Sequence, residues 1–417
     1  MSGRPSLLFL SPVVPAAEGN GLAMRAGVFL EAYARRFDIT LAVLLNAKTV
    51  PSFAASSFVR RHARRVELLP LEPLLHPHFR LITRLRDPVE RGAALARYAR
   101  PQLCSYDAIL AGETLRNLLG ETGFDALHVE RIYLAPLADA LPRPRLTIID
   151  LDEDDGATHR SIGRLQMLNG EAADAAVSIQ EAEKLDQLTR DSLPRFDLAL
   201  VAAPGEAAAL GKKFPSSRFA VVANAFRAPV GLPASPRPAK GIDYLMVGNL
   251  TYYPNTDGAR FFCRQVLPLI RQADGRARTV VAGRDPGAEV RALAALPGVS
   301  VQAGPDHLAP FYADAAVAVV PIHAGGGSRI KILEAFAHGV PVVSTSIGAA
   351  GLGAVDGRHL LIANSPEDFA AAALRLRRDP ALATAIAAEG LALFERRYRF
   401  EDAAAGILTL VDSLVTN

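Results

Sequence analysis

The strongest constraint on the fold of this chain is an alternation. Short apolar runs rich in β-branched residues alternate with Ala/Leu/Arg segments of helical character along nearly all of its 417 residues. A parallel strand pair needs a crossover long enough to hold a helix, so this pattern predicts parallel sheets covered by helices. In the first half the expected strands are 6–11, 38–45, 65–69, 125–130, 145–150, 197–202 and 219–223, with one long polar helical stretch over 160–195. The segment "FRAPVGLPASPRPAKG" is rich in Pro and Gly and has no periodicity, as a linker does. After it the alternation restarts, with strands at 243–247, 278–282, 299–302, 316–320 and 341–345. Helices are expected between them near 257–271, 286–296, 307–314 and 328–338. A strand at 359–363 and helices at 366–377, 380–396 and 400–415 complete the pattern. The predicted fold class is α/β, with two doubly wound Rossmann-like domains: 1–225, a linker 226–241, 242–397, and a last helix within 398–417. Ligands of such sheets sit outside the carboxyl ends of the strands, and the cleft between two facing domains is the default site.

Composition narrows the class. Half the residues are hydrophobic, and the only cysteines, Cys104 and Cys263, do not make a disulfide scaffold. No apolar run reaches the ~18–20 residues a spanning helix needs. The N-terminus lacks a secretory pattern, since Arg4 and Pro5 precede a run that stops at Pro12. A soluble, cytoplasmic protein is expected. The net charge is only +3, yet ten arginines (60, 61, 64, 65, 80, 84, 86, 91, 97 and 100) face four acids between Phe58 and Arg100. With Leu and Phe interleaved, this region suits an anionic membrane or a phosphorylated acceptor, and equally a solvated helical face. No aromatic-basic interleaving of a nucleic-acid surface accompanies it, so no nucleic-acid partner is expected.

The most informative stretch is "AVAVVPIHAGGGSRIKILEAFAHGVPVVST". It reads as strand, glycine loop, helix, strand. Gly325, Gly326 and Gly327 let backbone approach a ligand closely, Ser328 is placed to cap the helix, and Gly339 and Pro341 end it. A helix N-terminus presents free N–H groups and about half a positive charge, and Arg329 and Lys331 add two cations there. That combination suits a diphosphate. Glu334 lies three positions beyond Lys331 on the neighbouring surface and can accept hydrogen bonds from sugar hydroxyls. The same residues also fit an ordinary loop with a Lys331–Glu334 surface pair. The stretch is neither a Walker loop nor G-x-G-x-x-G, because Ile330 stands where the last glycine would be.

These residues resemble the donor segment of family 4 glycosyltransferases of the GT-B fold, in the branch working on bacterial polysaccharides. The signature is GGG-(T/S)-R-x-K-x-LEA-x-A-x-G-x-PVV-(A/S)-T. "VGNLTYYPNTDGARFFCRQVLPLI", "VVAGRDP" and "VSVQAGPDHLAPFYADAAVAVVP" follow in family order, while the first half matches more loosely. The resemblance implies a retaining transfer of sugar from a nucleotide-diphosphate sugar to a glycan, lipid-linked or small-molecule acceptor, with no metal and no resident cofactor. It implies that the last helix crosses back onto the first domain. Lys331 and Arg329 are similar to the diphosphate ligands, and Glu334 matches the final Glu of the E-x(7)-E motif that holds the donor ribose. The first Glu of that motif falls on Gly326, and a basic residue common in the family is replaced by Asn249 in "VGNL", after Gly248; Asn255 or Arg284 is available to compensate. Gly19, Asn20 and Gly21 match the loop over the diphosphate and acceptor, with Arg25 adding charge just after it. The two departures keep open a catalytically silent nucleotide-sugar-binding protein. A nucleotide-sugar epimerase or hydrolase is a further alternative.

Other groups carry weaker signals. His128, Glu130 and Arg131 fall at a strand end on the acceptor side, and His323 just before the glycines is in reach of a sugar. Asp150, Asp152, Glu153, Asp154 and Asp155 contain D-x-D spacing that holds Mg²⁺ or Mn²⁺ in other glycosyltransferases, or form a solvated acidic loop. His159 and Arg160 follow that loop as lesser acceptor-side candidates.

Overall fold

The computed structural model describes residues 4–45, 56–120, 123–228, 241–327 and 329–415. Most of the expected linker and Ser328 therefore lie outside the described residues. The chain divides into two compact units, residues 1–226 with 400–417, and residues 227–399.

Unit 1 is a seven-stranded parallel sheet of β1 (Ser6–Ser11), β2 (Asp38–Leu45), β3 (Arg65–Pro70), β4 (Ala126–Glu130), β5 (Leu146–Asp152), β6 (Leu198–Val201) and β7 (Phe219–Val221), ordered β3-β2-β1-β4-β5-β6-β7. Strand alternation explains its two cores. Leu7 and Phe9 point to one face, against Phe29, Tyr33 and the helix Phe400–Val415; Leu8 and Leu10 point to the other, against Tyr106, Leu115 and Leu185. Phe400, Ala404, Ile407 and Val411 are the buried residues of that last helix, one face at helical spacing. Phe400, Ile407 and Val411 each contribute about 1.5–3 kcal/mol by burial, and the single methyl of Ala404 less. The single long helix expected over 160–195 is instead two, Asp155–Leu168 and Ala172–Ser192, broken by the turn at 169–171.

Unit 2 is a six-stranded parallel sheet of β8 (Ile242–Val247), β9 (Thr279–Gly283), β10 (Val299–Ala303), β11 (Ala315–Val320), β12 (Val342–Ser344) and β13 (Leu361–Ile362), ordered β10-β9-β8-β11-β12-β13. Tyr244, Met246, Val317, Val319 and Val343 bury one face of it against Phe262 and Phe369. The helix expected over 257–271 is split into Tyr253–Phe261 and Leu267–Ala273 by a π-helical turn at Phe262–Val266. In each unit the strand order reverses beside the first strand, between β1 and β4 and between β8 and β11. These reversals are where doubly wound sheets open a crevice. Among the described residues no helix is long and apolar enough to cross a membrane.

Candidate active site: the glycine loop after β11

β11 delivers Gly325–Gly327 to the carboxyl edge of the unit 2 sheet, and the helix Ile330–Ala337 follows. Gly325 has φ 107°, a conformation that L side chains rarely adopt, and a Cβ there would meet the Tyr252 hydroxyl at 3.1 Å. The residue capping the helix is Arg329, which provides no side-chain cap.

Arg329 behaves differently from the expectation. Its guanidinium is buried and turns back to the loop, with Nη1 donating to the Gly326 carbonyl (2.5 Å) and Nη2 to the Gly325 carbonyl (2.7 Å). It therefore shapes the glycine loop from inside and contributes charge at one remove. Its Nε has no partner among the described residues.

Lys331 keeps partial solvent access, although protein surrounds its ammonium. Burial, helped by the nearby Arg329 charge, pushes its pKa down to about 7. Its Nζ donates to Asn255 Oδ1, and Asn255 Nδ2 donates to the Asn249 carbonyl at 2.7 Å. This relay ties the helix to the end of β8. Asn255 is itself buried and lies so close over Gly248 that a Cβ there would approach its Nδ2 to 2.8 Å. The Asn249 side chain accepts from Thr251 instead, through N (3.1 Å) and Oγ1 (2.8 Å). Asn255 thus takes up the contact with Lys331, and Arg284 stands exposed in the turn after β9.

Glu334 is held by Tyr312, whose hydroxyl donates to Oε2 at 3.2 Å and whose ring stacks on His338 at 4.9 Å. Burial raises the Glu334 carboxyl to about 7, only partly opposed by the Tyr312 hydrogen bond and the Lys331 charge. Lys331 and Glu334 therefore both titrate near neutrality, an arrangement associated with sites that exchange charge with a ligand. His323 hydrogen-bonds Asp257 through Nδ1 (3.0 Å), which fixes its ring beside the loop. Sequence reasoning missed Tyr312 and Asp257. An aromatic in an Ala-rich helix reads as core, and nothing in the linear pattern connects Asp257 with His323.

The candidates of unit 1 are placed otherwise. Asn20 caps the helix Gly21–Tyr33 by accepting from the Ala23 amide at 2.9 Å, and Gly19 precedes it with φ 118°. Arg25 is a correction to the charge expected beside that loop. It is buried, pairs with both Asp150 oxygens (2.6 and 2.7 Å), and donates Nη1 to the Val222 carbonyl (2.8 Å) and Asn224 Oδ1 (3.0 Å). His128 is a second correction. Strand alternation turns it into the core against Phe9, Phe29 and Tyr33, where burial lowers its pKa to about 3. Glu130 is fully buried at the end of β4, bonded by Ser11 Oγ at 2.5 Å, and burial raises its carboxyl well above the usual range. Arg131 is buried and spent on Asp152 (3.1 Å) and Asp155 (2.5 Å). The acidic loop is thus neutralised from within by Arg25 and Arg131, not solvated. Among the described residues no group of three His, Cys, Asp or Glu is placed to hold a metal ion. His159 is mostly enclosed, and Arg160 pairs with Asp186 at 2.7 Å.

Solved structures align along almost the whole chain. A sucrose-phosphate synthase from Thermosynechococcus elongatus is 16% identical with a TM-score of 0.71, covering 99% of this chain and 100% of its own. A TarM variant from S. aureus, in complex with fondaparinux, alpha-GlcNAc-glycerol and UDP, is 9% identical with a TM-score of 0.68, covering 97% and 99%. HepE from Anabaena, in complex with UDP and glucose, is 12% identical with a TM-score of 0.62, covering 98% and 100%. At such identities the likeness establishes the fold, which is GT-B. No curated protein matches the sequence. Residues 241–379, which carry β8 to β13 and the whole glycine-loop site, match the family model described as Glycosyl transferases group 1.

Proposed function

We propose that the chain is a glycosyltransferase of family 4, in the bacterial polysaccharide branch, which moves a sugar from a nucleotide-diphosphate sugar to a hydroxyl acceptor with retention. The observation that carries this reading is Lys331, a partly exposed residue whose enclosed ammonium is pushed down to about 7 beside a glycine loop and at the start of a helix. Breaking the anomeric C–O bond puts negative charge on the departing diphosphate. Fixed donors aimed at that charge lower the barrier, and Lys331 with the helix amides supplies them. Glu334, held by Tyr312, is positioned for the donor ribose. In this reading the leaving phosphate takes the acceptor's proton, and no metal or resident cofactor takes part. The UDP bound by TarM and HepE, with glucose in HepE and fondaparinux and alpha-GlcNAc-glycerol in TarM, supports a nucleotide-sugar donor and a sugar-bearing acceptor here.

Calorimetric titration with UDP, GDP and ADP tests the assignment. Lys331→Ala is expected to weaken the bound nucleotide by about 30-fold, the loss of one charge-assisted hydrogen bond of about 2 kcal/mol. Unchanged affinity would refute it. The second reading, a nucleotide-sugar-binding protein without turnover, is favoured by Gly326 at the first Glu position of the E-x(7)-E motif. Labelled nucleotide-sugar with and without acceptors separates the outcomes: transfer, hydrolysis or epimerisation, or binding alone.

The reading includes a cytoplasmic location with peripheral contact to anionic lipid. All ten arginines of 58–100 are exposed, alongside Leu81 (59%) and Val89 (76%). Pelleting with anionic but not neutral vesicles, reduced by Arg80→Glu with Arg84→Glu, is the expected result; equal pelleting with both compositions argues against it.

A further inference from the structure

A second cluster of cations lies at the other end of the unit 2 sheet, where β8 and β9 begin. A cavity of about 620 Å³ is lined there by Asp243, Arg271, Asp274, Arg276, Arg278 and Arg377, with Gly275. Four guanidinium groups face two carboxylates. Both carboxylates are already engaged: Asp243 accepts the Arg278 amide (2.8 Å) and Arg377 Nε (3.0 Å), and Asp274 accepts the Arg276 amide (3.1 Å). Arg271 is engaged too, donating Nη1 to the Ala277 carbonyl at 2.6 Å and so pinning the turn.

What remains is the pair Arg276 and Arg278. Ala277 between them is buried, whereas Arg276 and Arg278 are exposed and both line the cavity. Neither guanidinium has a partner among the described residues, although Arg377 and Arg271 stand on the same wall. An unpartnered guanidinium fork is suited in shape and charge to phosphate oxygens, and two of them stand on this pinned turn. The cavity volume falls within the range of small-molecule sites, about 300–1,000 Å³, and exceeds what inorganic phosphate fills.

We infer that this pocket binds the phosphate group of a phosphorylated small molecule or lipid headgroup, at a site separate from the glycine loop. The proposal is independent of the function proposed above. It is tested in the Lys331→Ala chain, so that the glycine loop contributes little to phosphate binding. Titration with glucose 6-phosphate, with glucose as control, is expected to show saturable binding of the ester alone, weakening as salt is raised. Adding Arg276→Gln and Arg278→Gln is expected to weaken it at least tenfold with an unchanged Tm, because both side chains are exposed. Flotation with phosphatidic acid vesicles against phosphatidylcholine vesicles separates the sources. Vesicle binding lost in the double variant assigns a lipid phosphate, and ester binding without vesicle binding assigns a soluble one. Absence of both, or binding that survives Arg276→Gln/Arg278→Gln at full strength, overturns the proposal.

Discussion

The two sheets end in opposite ways at their carboxyl edges. In unit 1 the edge is closed by its own charges: Arg25 clamps Asp150, Arg131 clamps Asp152 and Asp155, and Ser11 bonds Glu130, all with little or no exposure. In unit 2 the edge is left chemically open. Arg329 is spent on loop carbonyls, but Lys331 is held by a neutral amide, Asn255, and Glu334, the carboxylate whose charge acts on it, is itself raised to about 7. A cation paired with a buried carboxylate is committed to stability. A cation held by an amide keeps its charge interaction for a ligand. The lesson is that an arginine or lysine near a strand end is informative only once its partner is known.

The contrast can be broken most sharply at Arg25. Arg25→Ala strands the fully buried Asp150 without its counter-ion, and about 3–5 kcal/mol of stability should be lost, read from denaturant midpoints of unit 1. Nucleotide affinity measured under native conditions should be unchanged. Loss of affinity at unaltered stability would reverse the roles assigned to the two edges.

A smaller effect concerns pH at the open edge. Without ligand Lys331 titrates near 7, and a bound diphosphate favours its charged form and raises that value. The Lys331 contribution to affinity for a nucleotide-diphosphate sugar, whose diphosphate does not titrate in this range, should be flat below pH 7, where Glu334 is the group that changes charge. Above it, binding must take up a proton, so affinity should fall by up to about tenfold per pH unit. Calorimetry in buffers of different ionisation enthalpy measures that proton directly. The free protein should show the linked signature in stability. Lys331, lowered from 10.5 to about 7, makes the unfolded chain bind more protons across that window, so this contribution rises with pH there. Glu334, raised from 4.5 to about 7, makes the folded chain bind more, so its contribution falls from pH 4.5 to 7. A midpoint that moves the other way in either window would contradict the assignment of that group.

The smallest expected change sharpens the role of Glu334. Tyr312→Phe removes one hydrogen bond to its carboxylate while keeping the ring stacked on His338. A loss of about 1 kcal/mol in nucleoside-diphosphate binding is expected, with none for pyrophosphate, which lacks a ribose. Equal losses for both ligands would mean that Tyr312 supports Lys331 instead.

Much of the fold was legible because its signals are local. Runs such as "LLFLS" and "VAVV" are buried on both faces, which gives parallel strands their continuous apolar character, and the interruptions at Gly and Pro mark the crossovers. The places where expectation and structure part are those where an interaction across sequence decides. The break at 169–171 and the π-helical turn at 262–266 depend on how the helices meet their neighbours. The glycine loop could be found from its spacing, since three glycines before a cationic helix start are contiguous in the chain. Tyr312, Asn255 and Asp257 meet the loop helix and His323 from 19 to 76 positions away.

By itself, then, the sequence determined the alternation of strands and helices and the residue types at the end of β11, because both follow from periodicity and from adjacency along the chain. Which charges were left available was decided only by tertiary structure. A side chain's pKa and partners depend on burial and on groups that folding brings within about 3 Å, and those turn Arg25 and Arg131 into internal clamps while leaving Lys331 poised near neutrality.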